Sequence, residues 1–358
     1  MRKIFTFLII CSFAVGCVDD FKFRIEDKIN AVVIEAFISN KSFNDTRNYP
    51  SDGRYFQVKL SYTSDVINVR SQPIENAVVS LEVDNTDPFF YHEINPGQYF
   101  LLNETFKADD ERLYRLNIKF DNKTYVSAWE KLPSNQPPQM DAIDFQETTK
   151  PIETGFENGV RAIIHLPVHA EKNIYYKWNY APTWIHTATM ADPSNPNRTC
   201  WINNNYYLDD YDIFADEYGG VSHALFYVKT NDNEVVLDNL SILINQQSMT
   251  SDYFYFYQEM KLLNERNGLF DNPPFNLKSN FKNDTNDEEI VIGYFGVVNE
   301  QAKRLYFNVK DLSYFIPDER EYYCRSCRGI GCPPPPCYDC MKYEFGEPTN
   351  IKPIWWED

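Results

Sequence analysis

Hydrophobic and polar positions alternate with a period of two in short runs along most of the chain, the pattern of half-buried strands. Val32 to Ile38 is apolar apart from Glu35, and Phe56, Val58 and Leu60 alternate with polar residues. Val78, Val79 and Leu81, then Tyr99-Phe100, then Leu116 and Ile118 within YRLNIKF, then Tyr125-Val126 follow the same rule. Turn-rich pieces such as SNKSFNDTRNYPSDG, DNTDP, NPG and FDNKT separate them. About seven such strands in about 100 residues predict an immunoglobulin-like β-sandwich over residues 31–131.

The segment 132–140, which contains LPSNQPP, cannot join a central ladder because proline has no amide hydrogen to give. It reads as a stiff, extended linker between domains. A second β-rich domain is predicted over 141–318, from VRAIIHLPV, NIYYKWNYAPTWI, HALFYVKT, VVLDNLSILI, EEIVIGYFGVV and KRLYFNV. One helix interrupts it. Thr250, Ser251 or Asp252 can cap its start, Phe256, Tyr257, Met260 and Leu263 share a face, and Asn267-Gly268 supplies the stop. That face predicts packing across a sheet, with a partner-binding face as the alternative. The stretch 319–358 is rich in cysteine and proline and is expected to be shaped by disulfides rather than by a core. The fold class is therefore mainly β.

The first residues follow a different pattern. Arg2 and Lys3 precede an apolar run, Ile4 to Val15, and Ala14-Val15-Gly16 leads to Cys17. The run is about a dozen residues long, whereas a spanning helix needs roughly 20. It reads as a cleavable signal over 1–16 ending in a lipobox-like motif, with Cys17 lipidated and 17–30 forming a polar tether. Ala14 stands where such motifs usually carry a larger aliphatic residue, and an ordinary secretory signal is the alternative. Anchorage at Cys17 would hold the chain to a membrane through its lipid, with multiple acyl chains holding stably.

The formal charge is −18, which repels phosphate backbones and excludes nucleic acid as a partner. Of eight cysteines, Cys11 lies in the signal and Cys17 takes the lipid. Six remain: Cys200, Cys324, Cys327, Cys332, Cys337 and Cys340. An even number in an exported chain points to disulfides, with fifteen pairings open. Cys200 is expected to staple the second domain to the tail. The spacing Cys324-x2-Cys327 with Cys337-x2-Cys340 also suits a four-thiolate zinc site, but thiols outside the cytoplasm oxidise, and no metal or other cofactor is expected. A redox CxxC is disfavoured because neither knuckle opens a helix in a βαβ setting.

His165 and His169, read as one strand, stand about 13 Å apart and cannot share a metal. The acidic stretches Leu208 to Asp212 and Asn283 to Glu288 could collect calcium ligands, although neither has EF-hand spacing, and solvated loops are the default. No GxSxG, HExxH or phosphate-cradling loop occurs, so no catalytic residue is assigned and a hydrolase is the least favoured reading. Aromatic clusters supply the candidate ligand contacts: Tyr175, Trp184, Trp355 and Trp356. Burial in the sheet is the rival reading for the aromatics around Trp178.

The order AVVIEAFIS, PIENAVVSLEV, GQYF, YRLNIKF, YVSAWEKLPSNQP, IYYKWNYAPTW, SMTSDYFYFYQEMKLLNERNGLFDNPP, VIGYFGVV, CPPPPCYDC and KPIWW resembles Bacteroidota lipoproteins of domain-of-unknown-function family 4249. The resemblance runs over nearly the whole chain after Cys17. It implies an outer-membrane lipoprotein, lipid-anchored at Cys17, with an N-terminal immunoglobulin-like domain, of a kind often encoded beside a TonB-dependent transporter. In that phylum acidic residues after the lipidated cysteine accompany surface export, and Asp19 and Asp20 occupy that place. The expected function is a cell-surface, non-enzymatic accessory subunit of such a transporter, presenting a ligand or bracing the complex. A free-standing adhesin or glycan-binding protein is the alternative.

Overall fold

The computed structural model describes residues 31–357 apart from 49–50, 64–71, 85, 135, 141–142, 154, 170–172, 209–210, 266–276 and 333. The signal, Cys17 with its tether, Asp19, Asp20 and the Asn267-Gly268 helix stop therefore lie outside the described residues.

The strands are β1 (Val32–Ser39), β2 (Phe56–Tyr62), β3 (Gln72–Pro73), β4 (Val78–Val83), β5 (Phe89–Phe90), β6 (His92–Asn95), β7 (Gln98–Leu101), β8 (Tyr114–Phe120) and β9 (Lys123–Ser127). They continue with β10 (Ile143–Ile152), β11 (Gly155–His165), β12 (Ile174–Thr187), β13 (Thr199–Asn203), β14 (Asp212–Asp216), β15 (Ser222–Lys229), β16 (Asn239–Met249), β17 (Phe281–Asn283), β18 (Val291–Asn308) and β19 (Glu347–Thr349). Helices are α1 (Phe43–Asn48), α2 (Ser251–Glu265) and α3 (Arg320–Ser326). The protein is mainly β, as its alternation predicts. Each strand-like run read from the sequence contains a strand, although VVLDNLSILI opens in a 3-10 turn at Glu234–Val236 and becomes strand only from Asn239. EEIVIGYFGVV and KRLYFNV, read as two, fall within the single 18-residue strand β18.

Two apolar cores form on either side of the proline-rich segment. The first lies between β1, β2 and β7 on one layer and β4, β8 and β9 on the other, with Ile34, Val58, Leu60, Leu81, Leu116 and Tyr125 at its centre. The second lies between β12, β16 and β18 on one side and β11 and β15 on the other. There Trp178 stacks on His223 and the Tyr180 ring meets Phe226 edge-on. Leu132 belongs to the first core and Met140 to the second.

The ladders do not respect that division. β18 pairs in parallel with β1 from Val291 to Val298, then antiparallel with β16 from Asn299 to Asn308. One eleven-stranded sheet thus runs through both regions, and β17 extends the opposite layer of the first sandwich by pairing with β9. The first sandwich therefore includes strands from far beyond residue 131. The segment 132–140 is fixed, not a loose spacer. Its prolines have no amide to donate, but their carbonyls need donors, and side chains of β16 and β18 supply them. Asn299 donates to the Pro133 carbonyl at 2.8 Å, Gln246 to Pro138 at 3.1 Å and Lys303 to Met140 at 2.8 Å.

α2 packs across the sheet, as its apolar face predicts, burying Tyr253, Phe254 and Phe256 against Tyr294 and Val298. A Cβ on Gly296 would sit 2.0 Å from the Tyr253 ring, so only glycine allows this close approach. The tail departs from expectation. Cys340 and Tyr343 enter the second core and β19 pairs with β13, so apolar burial shapes the tail together with the disulfides. Among the described residues, no helix is long and apolar enough to cross a membrane.

Candidate functional site

Where β12, β16 and the second half of β18 lie side by side, their registers decide which side chains share a face. Lys177 stands opposite Gln247, and Gln247 opposite Glu300. Two residues on, Asn179 stands opposite Asn245, and Asn245 opposite Ala302; beyond them come Ala181, Leu243 and Arg304. Neighbours are about 5 Å apart across strands and about 7 Å apart along them. The intervening residues Tyr176, Trp178, Ile242 and Ile244 point the other way into the second core. One face of the sheet is therefore a grid of amides and charges.

A cleft of about 680 Å³ opens over Lys177, Asn179, Asn245 and Gln247, walled by Phe37, Arg54 and Tyr55 from the first region and Tyr253 and Tyr257 from α2. It continues past Asn179 and Asn245 into a further space of about 480 Å³ that ends at Arg304 and Trp355. Trp355 closes that end. Its ring lies 3.5 Å from the Arg304 guanidinium carbon, and its indole N–H donates to Asp52 Oδ1 at 3.0 Å, so the tail reaches back to the loop before β2.

The wall is set by a buried ion pair. Arg54 donates to both carboxylate oxygens of Glu300, at 2.8 and 2.6 Å, and Asn245 Nδ2 donates to Glu300 Oε1 at 2.6 Å. The Glu300 side chain is 1% exposed, and burial alone would push its carboxyl up. The Arg54 charge outweighs burial and, with hydrogen bonds from Arg54, Ser39 and Asn245, holds it below the ordinary carboxylate range. The loop carrying Arg54 is tied to α1 by Ser51 Oγ donating to the Thr46 carbonyl at 2.6 Å and by the Arg54 amide donating to Thr46 Oγ1 at 2.9 Å.

Of the four aromatic contact candidates, Trp355 alone lines the cleft. Trp184 is 1% exposed between Tyr207 and Tyr343, and Trp356 is 5% exposed against Trp201 and Tyr306. Both are core residues, because alternation turned Trp184 inward and the tail folds Trp356 onto the sheet. Tyr175 is half-buried behind α2 against Phe254 and Tyr255.

The six cysteines are all paired, as Cys200–Cys340, Cys324–Cys337 and Cys327–Cys332. Cys200 staples the second region to the tail, as expected. His169 lies beyond the end of β11, so the two histidines do not share a strand. His165 binds Ser222 and Asp144, while His169 Nε2 lies 3.2 Å from Asp216. In the first acidic stretch Asp209 and Asp210 lie outside the described residues, and Asp212 is engaged by His223 and Lys261. In the second, Asn283 accepts from the Thr285 amide and hydroxyl, closing a turn on itself.

A smaller cavity of about 320 Å³ lies under the tail, lined by His186, Arg320, Tyr323, Tyr343 and Phe345 among others. Its arginine is already held by Asp238 and Asp318.

The family model described as "Domain of unknown function (DUF4249)" matches residues 18–304. The chain belongs to this family. The DUF4249 match takes in the first core, most of the second and the cleft floor, including Lys177, Asn245 and Glu300, and stops before the tail that supplies Cys340, Tyr343 and Trp355. No curated protein matches the chain.

The sequence reading did not find Arg54, Glu300, Lys177 or the amides. Alternation in NIYYKWNYAPTWI already places Lys177 and Asn179 opposite Tyr176 and Trp178, so half of the floor was within reach. Nothing in the sequence joins Arg54 to Glu300 across 246 positions.

Proposed function

We propose that this protein is a non-enzymatic, ligand-holding lipoprotein of the outer membrane, displayed at the cell surface through Cys17, that presents a hydroxyl-rich ligand to a TonB-dependent transporter. The observation that carries the reading is the cleft, whose floor sets Asn179, Asn245 and Gln247 between aromatic walls. Amides both donate and accept, which matches hydroxyls that do the same, and aromatic faces take the apolar faces of sugar rings. The Arg54–Glu300 pair and the clamped proline segment hold both regions of the molecule in one geometry, so the cleft is formed before a ligand arrives. Anchorage at Cys17 would raise the local concentration for a membrane partner, so weak contacts suffice.

The same cleft also suits a free-standing glycan binder. Affinity purification of the tagged protein from gently solubilised membranes separates the two. Stoichiometric recovery of a TonB-dependent transporter is the expected result. Recovery of the lipoprotein alone would remove the transporter from the reading and leave the free binder.

A further inference from the structure

Lys177 is the residue the cleft does not account for. It is 8% exposed, in the middle of a sheet, and lysine is seldom buried this far without an acid beside it. Its ammonium lies 3.7 Å from the Tyr257 ring centroid and 5.2 Å from that of Tyr211. Such contacts offset only part of the cost of removing the charge from water. Among the described residues, no carboxylate lies within ion-pair distance of it. Glu300 lies two strands over, about 10 Å away by strand spacing, and is occupied on both oxygens by Arg54. On β14, Asp212 is held by His223 and Lys261. The charged groups lining this part of the cleft are Glu35, Arg54, Lys59 and Lys177; Arg54 is matched by Glu300 and Lys59 stands opposite Glu35 on the paired strand, which leaves the Lys177 charge without a counterpart among them.

We infer that the ligand is an acidic oligosaccharide and that Lys177 receives its negative group. This rests on the reading of the cleft as a glycan site. The floor decides against an acidic peptide. β16 is paired on both edges, with β12 and β18, so no backbone amide or carbonyl there is open to an added strand. Recognition must run through side chains, and Asn179, Asn245 and Gln247 stand within one or two positions of Lys177 on the same grid. A uronate-bearing chain supplies both parts, hydroxyls for the amides and a carboxylate for the ammonium. The walls exclude part of the water around that contact, which strengthens the charge-assisted bond.

The test uses the full-length protein in a neutral detergent and calorimetric titration with a panel of uronate oligosaccharides, each paired with its methyl ester. The ester keeps the ring and its hydroxyls and removes only the charge. The free acid is expected to bind about tenfold more tightly or better, with a gap that narrows as salt rises. Lys177→Met should lower the affinity for the acid to that of the ester, and Lys177→Arg should keep the gap, with a thermal melt of each variant confirming that it folds. Equal affinity for acid and ester would overturn the inference and leave the glycan reading standing. Binding of no acid, ester or neutral sugar would overturn both.

Discussion

β18 runs through two regions of the molecule that solve burial in different ways. In its first half Phe295 and Val297 enter the first core while Tyr294 and Val298 pack against α2, so both faces are dry. In its second half Phe307 enters the second core while Glu300, Ala302 and Arg304 face the cleft. One strand is thus buried on both faces at one end and lines an open cleft with one face at the other. What separates the two ends is the cover. α2 closes the first part of this face, and beyond it the Ser51–Arg54 loop, Asn203, Asn205, Glu347 and Trp355 stand at the margins of an open space. A sheet face keeps a polar alternation only where no element is laid across it, and that is where a ligand can be held.

The contrast can be tested first at the disulfides, which lie wholly in the second region and tail. Cys200–Cys340 closes a loop of 140 residues, so Cys200→Ala with Cys340→Ala is expected to cost about 4–5 kcal/mol. Denaturant unfolding followed by tryptophan fluorescence reads this directly, because Trp129 is the only tryptophan before the linker and the other five follow it. An earlier transition of those five, with the first sandwich holding on, is expected. A single shifted transition would mean that β18 makes the two regions one cooperative unit.

Glu300→Gln comes next, at about 3 kcal/mol, because it leaves the Arg54 charge without its partner at the point where the two regions join. Replacing both residues with methionine should cost less than the single change, and a double-mutant cycle by urea denaturation gives the coupling. The same pair sets an acid limit. The Glu300 carboxyl is held below its ordinary value in the folded protein, so its contribution is fully present above the ordinary carboxylate range. That contribution is lost as pH falls through the lower, folded value. The wild type should therefore lose stability more steeply than Glu300→Gln on acidification below about pH 4.5, measured as midpoint against pH.

Smaller effects separate the two halves of β18 themselves. Gly296→Ala drives a methyl into the Tyr253 ring and is expected to cost about 1–3 kcal/mol by thermal denaturation. Ala302→Ser, on the cleft face, should change stability by no more than about 0.5 kcal/mol. Equal costs at the two positions would show that the cleft face is packed as tightly as the face under α2.

Much of the fold could be read in the sequence because β-alternation is local. Phe56, Val58 and Leu60 need only one another to declare a strand, and the buried side of β12 follows from Tyr176, Trp178 and Trp184 in the same way. What was missed was short or without alternation. β17 and β19 span three residues each, and β10 carries its polar residues on an exposed hairpin. Two of the four candidate contact aromatics are buried, Trp184 because alternation along β12 turns it inward and Trp356 because the tail folds back. Trp356 does so onto Trp201, whereas Trp355 beside it stays at the cleft.

The sequence by itself determined that the chain is mainly β, that one helix lies on a sheet, and membership of the DUF4249 family. These follow from period, composition and motif order, which are properties of neighbours in the chain. The tertiary structure alone decided that β1 and β18 pair across more than 250 positions, that Arg54 meets Glu300, and that Lys177 is buried beneath Tyr257. Those contacts depend on register between distant strands, and register is fixed by the summed fit of both cores rather than by any local signal.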